Sequence, residues 1–168
     1  MSEPVPVDLV GVRIQLPSNQ PIVLLRERLG TRYLPIWIGA VEATAIAYAL
    51  EGVESVRPTT HDLLKMVTEA LGSHVDRVVV TGLRDSVFYA DLDLTRDADH
   101  VTLSVRPSDA LALAARTGSP IFATPEVLDD AGIELEGEEG DDLSEDEIDR
   151  FREFLDDIDP GDFEVPSP

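Results

Sequence analysis

The chain has 168 residues, with 34 acidic side chains against 13 basic ones and a formal net charge of −21. That length suits one domain, or one domain with an appendage, and 43% hydrophobic residues exclude wholesale disorder. The lack of cysteine excludes a disulfide framework, a thiolate nucleophile and any Cys-ligated zinc or iron–sulfur site.

The charge is unevenly spread. Residues 134–168 carry 16 acids and 2 bases, net −14, whereas residues 1–133 carry 18 and 11, net −7. Twelve of the 13 basic residues are Arg, and Lys65 is the exception. Residues 2–8 lack the basic and then apolar order of a signal peptide. The apolar runs 45–50 and 110–115 fall short of the roughly 18–20 residues needed to cross a bilayer. A cytoplasmic protein without a membrane partner is expected.

Val10, Val12, Ile14 and Leu16 alternate with more polar residues, the period of a half-buried strand. A turn at 17–21 follows. Strands are expected over 22–26 and 33–38 around Arg28-Leu-Gly30-Thr31, giving a first antiparallel meander. Residues 40–51 are alanine-rich and followed by Gly52, as suits a helix with a glycine C-cap. A second helix is expected from Thr59 or Thr60 to about Gly72, with Leu63, Leu64, Val67 and Leu71 at helical spacing.

Strands at 77–83, 87–94 and 100–105, divided by turns at 84–86 and 95–99, form a second meander. Ser108 reads as the cap of a helix over 109–116 that stops at Gly118. A short run at 120–123 precedes a last helix, with Thr124 as N-cap, Pro125 in the first turn and Gly132 as the stop. The order points to an α+β fold of two antiparallel β-meanders with packed helices, one domain over 1–133.

Residues 134–143 read as a solvated acidic linker and 144–168 as an acidic amphipathic helix and tail. Ser144-Glu-Asp-Glu147 has capping-box spacing, Leu143 can staple onto Ile148, and Ile148, Phe151, Leu155 and Ile158 share one face. A face of that kind must dock on its own domain, a second copy or a partner.

No phosphate-binding glycine loop, nucleophile elbow or His-Glu-x-x-His motif occurs. Two segments do share a design. Arg57-Pro-Thr-Thr-His61-Asp62 and Arg106-Pro-Ser108-Asp109 each set an Arg held extended by the next Pro beside a hydroxyl and an acid at a helix start. In structural terms Asp62 and Asp109 complement helix N-termini. In functional terms the amides and Arg would hold phosphate, and the carboxylates would ligate a divalent metal. His61, beside Asp62 and with Glu42 on the preceding helix, is a candidate general base or metal ligand, or else a capping or interhelical hydrogen-bond donor. Asp91 and Asp93 are two apart and share a strand face, where carboxylates are ordinarily just solvated.

The run Tyr33-Leu-Pro-Ile-Trp-Ile-Gly39, Glu42-Ala, Arg57-Pro-Thr-Thr-His-Asp-Leu-Leu64, Phe88-Tyr-Ala-Asp-Leu92, Arg106-Pro-Ser-Asp-Ala-Leu-Ala-Leu-Ala114 and Pro120-Ile-Phe122 resembles the bifunctional nuclease domain family over about residues 5–133. The resemblance implies an α+β domain, a homodimer, and DNase and RNase activity such as is attributed to some members. Glu42, Arg57, His61, Asp62, Arg106, Ser108 and Asp109 match motif positions. The expected assignment is His61, Asp62 and Asp109 for catalysis, Arg57, Arg106 and Ser108 for phosphate, and Glu42, Asp62 and Asp109 for Mg²⁺ or Mn²⁺, with no organic cofactor and DNA or RNA as partner. The alternative is a non-enzymatic module that binds an anion or a partner segment, with the acidic tail engaging a protein surface. A −21 chain repels polyanions unless its basic residues cluster.

Overall fold

The computed structural model describes residues 2–134. The acidic linker and amphipathic helix expected beyond Glu134 lie outside the described residues. Two antiparallel meanders form, β1 (Val5–Gln15), β2 (Gln20–Glu27) and β3 (Arg32–Trp37), then β4 (His74–Arg84), β5 (Val87–Arg96) and β6 (Asp99–Val105). Helices α1 (Ala40–Glu51) and α2 (Thr60–Ala70) connect them. The chain closes with α3 (Pro107–Thr117), β7 (Ile121–Ala123), α4 (Pro125–Ala131) and β8 (Ile133–Glu134).

The α+β class is as expected, and a short strand joins the two meanders. β7 pairs antiparallel with β1, Val7 opposite Ile121, and parallel with β4, Val78 opposite Ile121. The result is one mixed eight-stranded sheet in the order β6-β5-β4-β7-β1-β2-β3-β8. Edge backbone groups of β1 and β4 need partners, and a three-residue strand supplies them to both.

Local signals account for most boundaries. Gly52 and Gly118 take left-handed conformations at the ends of α1 and α3, with φ of 66° and 71°, which glycine adopts without a Cβ clash. Asp85 and Ser86, at φ 48° and 62°, form the two-residue link from β4 to β5, a turn whose twist matches the strands. The Thr124 hydroxyl accepts from the Val127 N–H at the start of α4.

Helix α3 departs from expectation. Its N-cap is Arg106, Pro107 opens the helix, and Ser108 is a buried first-turn residue rather than the cap. The fixed φ of proline is already helical and its missing N–H costs nothing there, so the helix starts before Ser108. Ala110 to Ala114 are buried at every position. This helix packs against α1, α2, β4 and β5, and its alanines permit that close approach. Leu111 and Leu113 join Val23, Leu25, Leu34, Ile36, Ile46, Val78 and Val80 in the core.

Helix α2 is oriented opposite to its pattern. It packs on α3, and His61 is its one buried residue. Asp62, Lys65 and Thr68 are half-buried on the same side. Leu63, Leu64, Val67 and Leu71, the residues whose spacing marks the helix, are 54%, 41%, 46% and 65% exposed. Among the described residues no helix is long and apolar enough to cross a membrane.

Candidate active site

The first turns of α2 and α3 and one side of α1 enclose a cleft of about 390 Å³. Packing of α3 against both α1 and α2 creates it, because the two Arg-Pro segments then converge at the same end of the helical layer.

His61 reaches from the first turn of α2 across to α3, with Nε2 3.0 Å from Asp109 Oδ1. Arg106 grips the same carboxylate twice: its Nε donates to Asp109 Oδ2 at 2.8 Å and its Nη2 to Oδ1 at 3.1 Å. The Arg106 Nη2 is also 3.0 Å from Glu42 Oε1 on α1. Partial burial opposes the Asp109 charge, but hydrogen bonds from Arg106 and His61 outweigh it and hold this carboxyl below the ordinary range. The Asp109 hydrogen bond and the charges of Asp109 and Glu42 raise the Arg106 pKa. His61 is 7% exposed and Arg106 is 65% exposed at its side chain, so the imidazole forms the floor of the cleft and the guanidinium its rim.

Asp62 stands apart from this group. The Thr59 backbone N–H and hydroxyl donate to Asp62 Oδ2 at 2.8 and 2.7 Å, and Arg116 Nε donates to Oδ1 at 2.6 Å. Thr59 first, and Arg116 next, hold the Asp62 carboxyl far below the usual carboxylate range. Both oxygens serve to cap α2 and tie it to α3. Arg116 is 9% exposed at its side chain and also donates to the Ala45 and Ala112 carbonyls at 3.0 and 2.9 Å. It locks three helices together. No local motif marks Arg116; its place in the last turn of α3 suits the helix dipole and nothing more. Tyr48, which lines the cleft from α1, likewise lacks a signal beyond the alanine-rich helix around it.

Of the expected phosphate-binding residues, Arg106 alone lines the cleft. Ser108 is buried. Arg57 sits in the exposed loop between α1 and α2 and makes no ion pair or hydrogen bond among the described residues. The expected metal ligands do not assemble a cage. Asp62 is committed to Thr59 and Arg116, Asp109 to His61 and Arg106, and Glu42 to Arg106. Among the described residues no group of three or more His, Asp or Glu side chains is disposed to hold a metal ion.

The domain is α+β, and at its cleft a buried histidine meets a partly exposed aspartate that a rim arginine also grips. The chain belongs to the bifunctional nuclease domain family, whose model matches residues 23–136. It is similar to an uncharacterized protein of Mycobacterium tuberculosis, 45% identical over 163 residues, covering 95% of this chain and 98% of that protein. It is also similar to proteins named bifunctional nuclease 2 from Oryza sativa subsp. japonica, 30% identical over 66% of this chain, and from Arabidopsis thaliana, 31% identical over 63%. This chain matches 35% and 34% of the lengths of those two plant proteins. The mycobacterial match leaves 5% of 168 residues, about 8, outside it. It therefore extends through most of the 34 residues after Glu134.

Proposed function

We propose that the cleft hydrolyses phosphodiester bonds of DNA or RNA. The observation that carries this reading is the chain Arg106–Asp109–His61, in which one carboxylate orients a floor imidazole and a rim guanidinium toward the same space. With Nε2–H donated to Asp109, the His61 Nδ1 lone pair is left to accept a proton. Water attacks phosphorus, its proton passes to His61, the bond to the leaving oxygen breaks, and solvent protonates that oxygen. Arg106 Nη1, which makes no hydrogen bond among the described residues, meets a phosphate oxygen. Asp109 is a positioning residue that fixes the tautomer and supports the imidazolium. Mg²⁺ or Mn²⁺ enters no step, because the carboxylates that would hold it are already committed to cationic and hydroxyl partners.

A second reading has one observation in its favour. Arg106 is already compensated by Asp109 and Glu42, which suits a site that holds a small anion or the carboxylate end of a partner segment without turnover. Cleavage of single- and double-stranded DNA and RNA, with Mg²⁺, Mn²⁺ or EDTA, separates the two when wild type is compared with His61→Ala and Asp109→Ala. Binding that persists without cleavage supports the second reading. Equal cleavage by all three proteins reveals a contaminant and removes the first. The homodimer is proposed on the open edge of the sheet. There, among the described residues, β6 is paired with β5 alone, and Val101 and Leu103 are 50% and 43% exposed, leaving a row of backbone groups for a second strand.

A further inference from the structure

We infer that the outward apolar face of α2 is the docking site of this chain's own C-terminal segment, residues 144–158. Leu63, Leu64, Met66, Val67 and Leu71 are all exposed by 41% or more. The side of α2 turned to the domain carries His61, Asp62, Lys65 and Thr68. A helix laid polar side inward leaves an apolar strip of a kind that soluble proteins cover. The strip starts at the cleft, whose wall includes Thr60 one turn before Leu63 and Leu64.

Ile148, Phe151, Leu155 and Ile158 supply a matching stripe at helical spacing. Each stripe is amphipathic and each needs a cover, as helix-in-groove pairing provides. The connection reaches. Ile148 lies fourteen positions after Glu134, an extended span of about 50 Å, against a domain of about 36 Å across by the size scaling of compact chains. Tethering places the segment at an effective concentration of about 1 mM, well above the micromolar level of a second copy in dilute solution. Arg57 at the α1–α2 loop is free of partners among the described residues and offers the acids of this segment a cation. The segment also belongs to the region shared with the mycobacterial relative.

The docking does not depend on the nuclease reading. The test uses the full chain, which has no cysteine of its own. Val67→Cys combined with Asp149→Cys, treated with a short bismaleimide, is expected to give a cross-link within one chain, lost when Phe151→Asp and Leu155→Asp are added. In the cysteine-free chain the same two Asp substitutions should raise the fluorescence of a dye that reports exposed apolar surface by about twofold or more. Cross-links between chains only would give the face to a second copy and overturn the inference. So would neither a cross-link nor a change in dye binding. These readouts do not involve cleavage, so they stand or fall separately from the nuclease reading.

Discussion

Replacing Asp62 by Asn should destabilise the fold by about 2 kcal/mol while leaving cleavage per folded molecule nearly unchanged. Asn keeps an oxygen for the Thr59 backbone N–H, so the cap, worth about 1 kcal/mol, is largely retained. What disappears is the negative charge against Arg116, 2.6 Å away, in a pair whose Arg is 9% exposed and whose Asp is 36% exposed. Removing one partner of a fully buried pair costs about 3–5 kcal/mol. Solvent at Asp62, and the Ala45 and Ala112 carbonyls that still hold the guanidinium, reduce this to about 2. For a chain of this length that is a fall in melting temperature of about 4–8 °C. The Asp62 carboxyl titrates lower folded than unfolded, so its contribution is complete above the unfolded carboxylate range. The gap between wild type and Asp62→Asn should be full above about pH 5 and close as the pH falls toward 2. Urea or thermal unfolding across that range, with Arg116→Met and the double variant completing a cycle, measures it. Unchanged stability together with lost cleavage would refute the argument and return Asp62 to the chemistry.

Further outcomes follow from the same contacts. Leu111→Ala empties a fully buried position of α3 and should cost about 2–5 kcal/mol in urea unfolding. Asp109→Asn, which preserves shape while weakening the hold on His61 and Arg106, should lower cleavage by about 100-fold or more, with a smaller change in melting temperature than Leu111→Ala. Arg57→Ala should weaken binding of DNA and RNA of every sequence alike and reduce the slope of log affinity against log salt by about 1, read by fluorescence anisotropy. Leu103→Lys, a charge on the open β6 edge, should shift a dimer toward monomer in sedimentation without lowering the melting temperature.

The sequence carried local information well and relational information poorly. Gly52, Gly118, Thr124 and the Asp85-Ser86 turn act on neighbours within a few residues, and each boundary they mark is found. The partners of β7 are not local: Ile121 faces Val7 and Val78, and nothing in a three-residue strand states which edges it will bridge. Periodicity shows that Leu63, Leu64, Val67 and Leu71 share a face, but not that the face points outward; that depends on His61 and Asp62 finding Asp109 and Arg116 on α3. The lining of the candidate site is legible only in part for the same reason. Arg106, Asp109 and His61 stood out because a Pro-flanked Arg and an acid at a helix start are chemically marked. Arg116 did not, since its value lies in a partner 54 positions away. The hydrogen bonds of Asp62 to Thr59 are local, but its bond to Arg116 is not, and nothing in its own segment announces it.

The most direct test of the central claim is the cleavage rate of a fluorescent single-stranded oligonucleotide by wild type and His61→Asn, purified side by side and shown to have the same melting temperature. The rate should fall by about 100-fold or more with the imidazole base removed. Equal rates would show that the Arg106–Asp109–His61 cleft is not the site of the chemistry.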